Sequence, residues 1–148
     1  MLITESEVAQ GFPAGDPRAQ HLRETVGAVV GSTFHVGIEN QRRGLATITV
    51  LEPALRFDVR WEAAPQVRLP LTVVVGLPRP QTAKKLLHDL ASLGVDRIIF
   101  FEADKGDPSY AQSSLWRDDA WREPLRKGAE QACSCLTPEI AHAPHLVG

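Results

Sequence analysis

The chain has 148 residues, 43% hydrophobic and 23% charged, with 16 basic against 18 acidic side chains and a net charge of −2. These values suit one ordinary domain or two small ones, and they exclude wholesale disorder and a uniformly basic nucleic-acid domain. No apolar run approaches the roughly 20 residues of a membrane helix, and the opening MLITESEVAQ, with two glutamates and no basic residue, does not read as a secretory signal.

In chain order, His21 to Val30 reads as a short helix or turn closed by Gly31. Thr33 to Ile38 is a strand, and Glu39 to Gly44 is a polar, glycine-ended hairpin loop that puts Arg42 and Arg43 at its tip. Ala46 to Leu51 is rich in β-branched residues. Leu55 to Trp61 alternates, with Leu55, Phe57, Val59 and Trp61 on one face and Arg56, Asp58 and Arg60 on the other. Short strands with hairpin signals predict a small β-barrel over residues 1–66. Ala63 to Pro70, with two prolines and no periodicity, reads as a linker.

Beyond it the character changes. Leu71 to Val75 is a continuous apolar run, as in a strand covered on both faces. GLPRP breaks it, Thr82 is placed to cap a helix over Ala83 to Leu93, Gly94 ends that helix, and Val95 to Phe101 is a second strand. Strand, helix and strand make a βαβ unit with a parallel sheet. A polar loop from Asp104 to Ser114 follows. A helical region from Trp116 to Cys133 must restart or kink at Pro124, and Pro138 and Pro144 mark an irregular tail. The fold class is α/β, α+β overall, with two strands and about two helices in residues 67–148.

Phosphate-loop, dinucleotide and GxSxG signatures are missing from the sequence. Arg79, Lys84 and Lys85 crowd the start of the predicted helix, where positive charge opposes the helix dipole. An anion such as an RNA phosphate would relieve that, and a solvated helix face is the plainer explanation. Arg42 and Arg43 can likewise reach a phosphate backbone or serve solubility. Trp116 and Trp121 suit base stacking or core packing. The isolated His21, His35 and His88 read as structural or surface residues. The only cysteines, Cys133 and Cys135, cannot form a disulfide framework, which points to a reducing cytoplasm. With His142 and His145 they give a C-x-C-x6-H-x2-H set of zinc-type ligands whose spacing departs from the usual finger, and Cys133 is as well explained as a small buried hydrophobe.

Leu77 to Pro80, Leu93 to Val95, Ile98 to Phe101, Lys105 to Tyr110, Gly128 to Ala132 and Pro138 together resemble the ribosomal RNA small subunit methyltransferase E family of the SPOUT superfamily, and His21 to Val26 resembles that family's HLxxVLR-like stretch. The resemblance spans nearly the whole chain. It implies a PUA-like β-barrel at 1–66, contacting RNA, and the N-terminal part of a SPOUT-type methyltransferase domain at 67–148. It implies S-adenosylmethionine-dependent methylation of uridine N3 in 16S rRNA, in the cytoplasm, with small-subunit rRNA as partner and a homodimer in full-length relatives.

Family members continue beyond the position of Gly148 into the glycine-rich knot that holds S-adenosylmethionine, so the expectation is an incomplete cofactor pocket. The candidate catalytic residues are Arg79, Lys105 and Glu130. The candidate RNA contacts are Arg42, Arg43, Arg79, Lys84, Lys85, Lys105, Tyr110 and Gln131. Two alternatives stand beside this: a non-catalytic RNA-binding module, and a small zinc protein built on Cys133, Cys135, His142 and His145.

Overall fold

The computed structural model describes residues 1–143. The chain divides into two compact units, Met1–Gln66 and Val67–Gly148.

The first unit holds strands β1 (Leu2–Ile3), β2 (Thr33–Ile38), β3 (Arg42–Val50) and β4 (Arg56–Trp61), paired in the order β1-β2-β3-β4. β1 runs parallel to β2, and the other pairs are antiparallel. The sheet is thus an open one: among the described residues no ladder joins β1 to β4, and the closed barrel expected here does not form. The alternation in β4 points Leu55 and Phe57 into a core with Phe12, Val36, Ile38, Ala46 and Ile48. Phe57 meets Phe12 and Phe34 at ring-centroid distances of 5.2 and 5.5 Å.

Helix α1 (Glu5–Gln10) escaped the sequence reading, although its signature is there. Thr4 accepts from the Glu7 amide, and the Glu7 side chain accepts from the Thr4 amide, a complete capping box. Helix α2 (Pro17–Gln20) runs into a π-helical turn at His21–Thr25. The Arg18 guanidinium lies 4.1 Å above the Phe12 ring, bonds Asp16 at 2.8 Å and pairs with Glu7. Burial pushes the Glu7 carboxyl up, but hydrogen bonds from Arg18 and Thr4 and the Arg18 charge outweigh it, leaving Glu7 below its ordinary value. The Arg18 hydrogen bond likewise holds Asp16 low against a smaller effect of burial.

The second unit is a three-stranded parallel sheet, β5 (Leu69–Gly76), β6 (Val95–Phe101) and β7 (Glu139–Ala143), in the order β5-β6-β7. Register places Val73, Val75, Ile98, Phe100 and Ile140 on one face. That face packs with Leu87 and Ala91 of α3 (Pro80–Leu93) and Leu125 of α5 (Arg122–Gln131), while α4 (Ser114–Arg117) supplies Trp116.

Two expectations for this unit fail. The LTVVV run is not covered on both faces. β5 is an edge strand with Leu69, Leu71 and Val74 exposed by 53, 49 and 47%, because an apolar run records hydrophobicity but not strand order. The segment after Pro138 is not irregular either; it forms β7, since pairing with β6 overrides a weak local pattern. Two smaller shifts accompany them. The linker ends sooner, because β5 begins at Leu69 with a register shift around Pro70, which has no N–H for the ladder. Helix α3 begins at Pro80 with Arg79 at the N-cap, so Thr82 lies within the helix and its hydroxyl accepts from Arg79 Nε at 3.2 Å.

Candidate functional site

The carboxyl ends of parallel strands are where open α/β sheets place their ligands, because the loops diverge there and leave a crevice. In this chain Leu77 follows β5, Glu102 follows β6, and Ala143 ends β7. Backbone bonds tie them together: the Leu77 amide donates to Phe101 O at 2.8 Å and the Glu102 amide to Ala143 O at 3.3 Å. Two adjoining cavities open at this edge and share Leu77, Glu102 and Ala111 as common walls.

The first cavity, about 320 Å³, is lined by Glu102, Asp104 and Asp107 together with Leu77, Pro108 and Ala111. The loop that carries the carboxylates is folded tightly, with the Gly106 amide donating to Ala103 O at 2.7 Å. A Cβ at Gly106 would stand 3.0 Å from that carbonyl, which explains the small residue. The Asp107 carboxylate accepts from the Ser109 amide at 2.9 Å, and this bond holds its pKa low.

The second cavity, about 240 Å³, is lined by Phe100, Phe101 and His142. The parallel register sets Phe100 beside His142, and their rings stack at 5.9 Å. Trp116 stands edge-on to the imidazole at 4.6 Å. Burial pushes the His142 pKa below its ordinary value.

The predicted site residues scatter around this crevice. Arg79 lies two residues beyond Leu77, and with Lys84 and Lys85 it forms an exposed basic cluster on the first turns of α3, at the same end of the sheet. The first turn of α3 contains no acidic residue to balance the cluster. Lys105 is exposed on the loop between the acidic residues. Tyr110 packs partly buried against the core and is not a free stacking platform.

Arg42 and Arg43 are not at a hairpin tip. The turn is residues 39–41, and both arginines belong to β3. Arg42 Nη2 sits 3.0 Å from both Glu5 carboxylate oxygens with its guanidinium 4.2 Å above the Trp61 ring, and Arg43 Nε donates to Glu62 at 2.8 Å. Their positive charge is neutralised locally.

Glu130 and Gln131 lie on α5, and neither lines the crevice. Glu130 instead borders a shallow depression with Arg122, Arg126 and Lys127, basic residues the sequence reading passed over. Trp121 takes a structural role, donating to Asp119 at 3.1 Å under the Arg122 guanidinium.

Among the described residues the zinc set does not assemble. Cys133 is exposed, Cys135 is buried, and His142 is in the aromatic cluster. His145 lies outside the described residues, among which no group of three metal-ligating side chains exists. Glu102, Asp104, Asp107 and the aromatic setting of His142 were also missed. Their one sequence signal is position, immediately after or within a strand of a predicted parallel sheet.

Comparison with known proteins places this geometry. Residues 65–147 match the model of the RNA methyltransferase domain. Ribosomal RNA small subunit methyltransferase E 1 of Borreliella burgdorferi is 30% identical over 141 residues, covering 95% of this chain and 59% of that protein. Ribosomal RNA small subunit methyltransferase E of Treponema pallidum is 29% identical over 145 residues, covering 95% of this chain and 54% of that protein. The chain thus spans less than two thirds of these relatives.

Among solved structures, a probable rRNA methyltransferase from Porphyromonas gingivalis superposes with a TM-score of 0.69 at 15% identity, covering 97% of this chain and 60% of that one. The ribosomal RNA small subunit methyltransferase E of Neisseria gonorrhoeae, bound to S-adenosyl methionine, superposes with a TM-score of 0.61 at 17% identity, covering 88% and 56%. These likenesses establish the shared fold. With the domain model matching more than half its residues, on a parallel sheet whose strand ends form the crevice, the chain belongs to the RNA methyltransferase domain family.

Proposed function

We propose that this chain acts in S-adenosylmethionine-dependent methylation of small-subunit rRNA, at N3 of a uridine in 16S rRNA, with the crevice at the strand ends as the site. The crevice carries the reading: it opens where a parallel sheet receives ligands, and it combines apolar walls with three carboxylates. Those residues fit the donor, which carries a sulfonium and an ammonium group. Glu102, Asp104 and Asp107 would hold the cationic groups, and Leu77, Pro108 and Ala111 would cover the apolar parts. When bound, the sulfonium supplies an electrophilic methyl group.

The chain's own task is then orientation and charge. Carboxylates at the crevice repel RNA phosphates, while Arg79, Lys84, Lys85 and Lys105 attract them. Together these signs set the RNA backbone on the first turns of α3 and leave a base free to enter the crevice. Uracil N3 carries a proton that must depart before the nitrogen attacks, so the site must hold base and donor in line and stabilise the developing charge. A homodimer in a cytoplasmic setting belongs to the same reading, and no helix among the described residues is long and apolar enough to cross a membrane.

Calorimetry with S-adenosylmethionine tests this. Binding near 1 μM, about −8 kcal/mol, would mean that the crevice makes up for the expected incompleteness of the pocket. A silent titration removes the donor from this chain. A second reading would then hold, a non-catalytic RNA-binding module. It is favoured by the exposed basic cluster of Arg79, Lys84 and Lys85 on the first turns of α3, which can contact phosphates with no donor bound.

A further inference from the structure

The sheet of the first unit has one covered face and one open face. Val36, Ala46 and Phe57 point into the core, and the residues between them point outward: His35 on β2, Leu45 and Thr47 on β3, and Arg56, Asp58 and Arg60 on β4. We propose that this outward face holds a single strand of RNA, with Arg56 and Arg60 on two of its phosphates and Asp58 accepting from a ribose 2′-hydroxyl between them. The face lies in the unit that does not carry the crevice, and its assignment rests on RNA being the substrate in the reading above.

Neutralisation separates these two arginines from the rest. Residues 1–66 contain six arginines and no lysine. Arg18 is held by Glu7 and Asp16, Arg42 by Glu5, and Arg43 by Glu62. Arg23 donates to Leu51 O at 3.2 Å with Glu52 beside it. Arg56 and Arg60 are exposed, and their side chains make no hydrogen bond or ion pair among the described residues. Both are arginine rather than lysine, and a guanidinium matches a phosphate through paired N–H donors.

Geometry sets the rest. Four residues along one strand separate Arg56 from Arg60, about 13 Å at roughly 3.3 Å per residue. A stacked nucleic-acid strand advances about 3.4 Å per phosphate, so the two guanidinium groups bracket about four nucleotide steps. Asp58 stands midway on the same face, opposite Thr47, and pairs with neither arginine. A carboxylate repels phosphate and accepts from a hydroxyl, so the strand must turn a ribose toward it. The 2′-hydroxyl is the group DNA lacks, which makes Asp58 the residue that selects RNA. In the next row Arg60, Leu45 and His35 are register partners across three strands, and the imidazole beside an apolar side chain offers a seat for a base.

The test uses the full 148-residue chain with fluorescein-labelled single-stranded RNA and DNA of one mixed sequence, read by anisotropy over a range of salt. The parent chain should prefer RNA to DNA by about tenfold, the worth of one charge-assisted hydrogen bond. Replacing Arg56 and Arg60 together by glutamine should weaken RNA binding by about tenfold at low salt and flatten the log–log salt dependence by about 1.4, two phosphate contacts at roughly 0.7 each. Asp58→Ala should bind RNA and DNA alike. All three positions are exposed, so near-ultraviolet circular dichroism should stay that of the parent. An unchanged salt slope in the double variant overturns the assignment; if the glutamine variant of Arg79, Lys84 and Lys85 still flattens it, the methyltransferase reading stands. A silent titration with S-adenosylmethionine beside a flattened slope in the double variant removes the donor and supports this face. Equal binding of RNA and DNA by the parent chain overturns the role of Asp58, and a parent chain that binds no RNA overturns the whole surface.

Discussion

Gly128 on α5 offers a measurable account of how the second unit is held. A glycine inside a helix costs about 1 kcal/mol relative to alanine, so its presence needs a reason. A Cβ built on Gly128 would lie 2.1 Å from the His88 carbonyl oxygen and 3.0 Å from Ala91 Cβ, both on α3. Backbone cannot rotate away as a side-chain tip can. Reaching the 3.4 Å of ordinary contact requires α3 and α5 to separate by about 1.3 Å along that line. Leu87, Ala91 and Leu125, all essentially buried, would lose packing as they part.

Overpacking of this kind costs about 3 kcal/mol at the upper end of its usual range, and improved helix propensity returns about 1, so Gly128→Ala should destabilise by roughly 2 kcal/mol. Urea unfolding followed by circular dichroism should show the midpoint falling by about 1 M. Gly94→Ala is the control: Gly94 ends α3 at φ 75° with nothing within 4 Å of its Cβ, so only the left-handed backbone resists, for about 1 kcal/mol. A midpoint for Gly128→Ala at or above that of the parent chain would refute the close helix contact.

Other outcomes are equally specific. Thr4→Ala removes the capping box of α1 and should cost about 1 kcal/mol in the same urea assay. Glu7 and Asp16 lie below their ordinary values of 4.5 and 3.8, so the stability they add is present above those values and is lost as pH falls through the lowered ones. Thermal midpoints measured from pH 6 down to pH 2 should therefore fall in the acid limb, and the fall should be shallower in Arg18→Met. Replacing Arg79, Lys84 and Lys85 together by glutamine should weaken binding of single-stranded RNA and flatten its log–log salt dependence by about 2, three phosphate contacts at roughly 0.7 each. The same change at Arg42 and Arg43 should barely move the slope, because Glu5 and Glu62 already neutralise them.

The contrast between those two arginine groups shows how far local reading reaches. Both were picked out as basic residues near a turn. Arg79, Lys84 and Lys85 stay exposed because the helix beneath them is amphipathic, a property carried by spacing alone. Arg42 and Arg43 are claimed by carboxylates 37 and 19 positions away, and no sequence window contains both partners.

Period-2 alternation was enough to place β4, and helical spacing with a terminal glycine was enough for α3, because each pattern is written within a single element. Strand order was not available in that way. It made β5 an exposed edge, turned the segment after Pro138 into a third parallel strand, and left the first sheet open. The site depended on the same long-range choices. Glu102 and Asp104 become crevice walls, and His142 comes to rest against Phe100, because β7 pairs with β6 in one register. A shift of one residue would carry His142 to the opposite face of the sheet. By itself the sequence determined β2 to β6, helix α3, the linker and the family resemblance, all encoded locally or in motif order. Only the tertiary structure decided which titratable groups meet at the strand ends, since that pairing is selected by burial across the whole sheet.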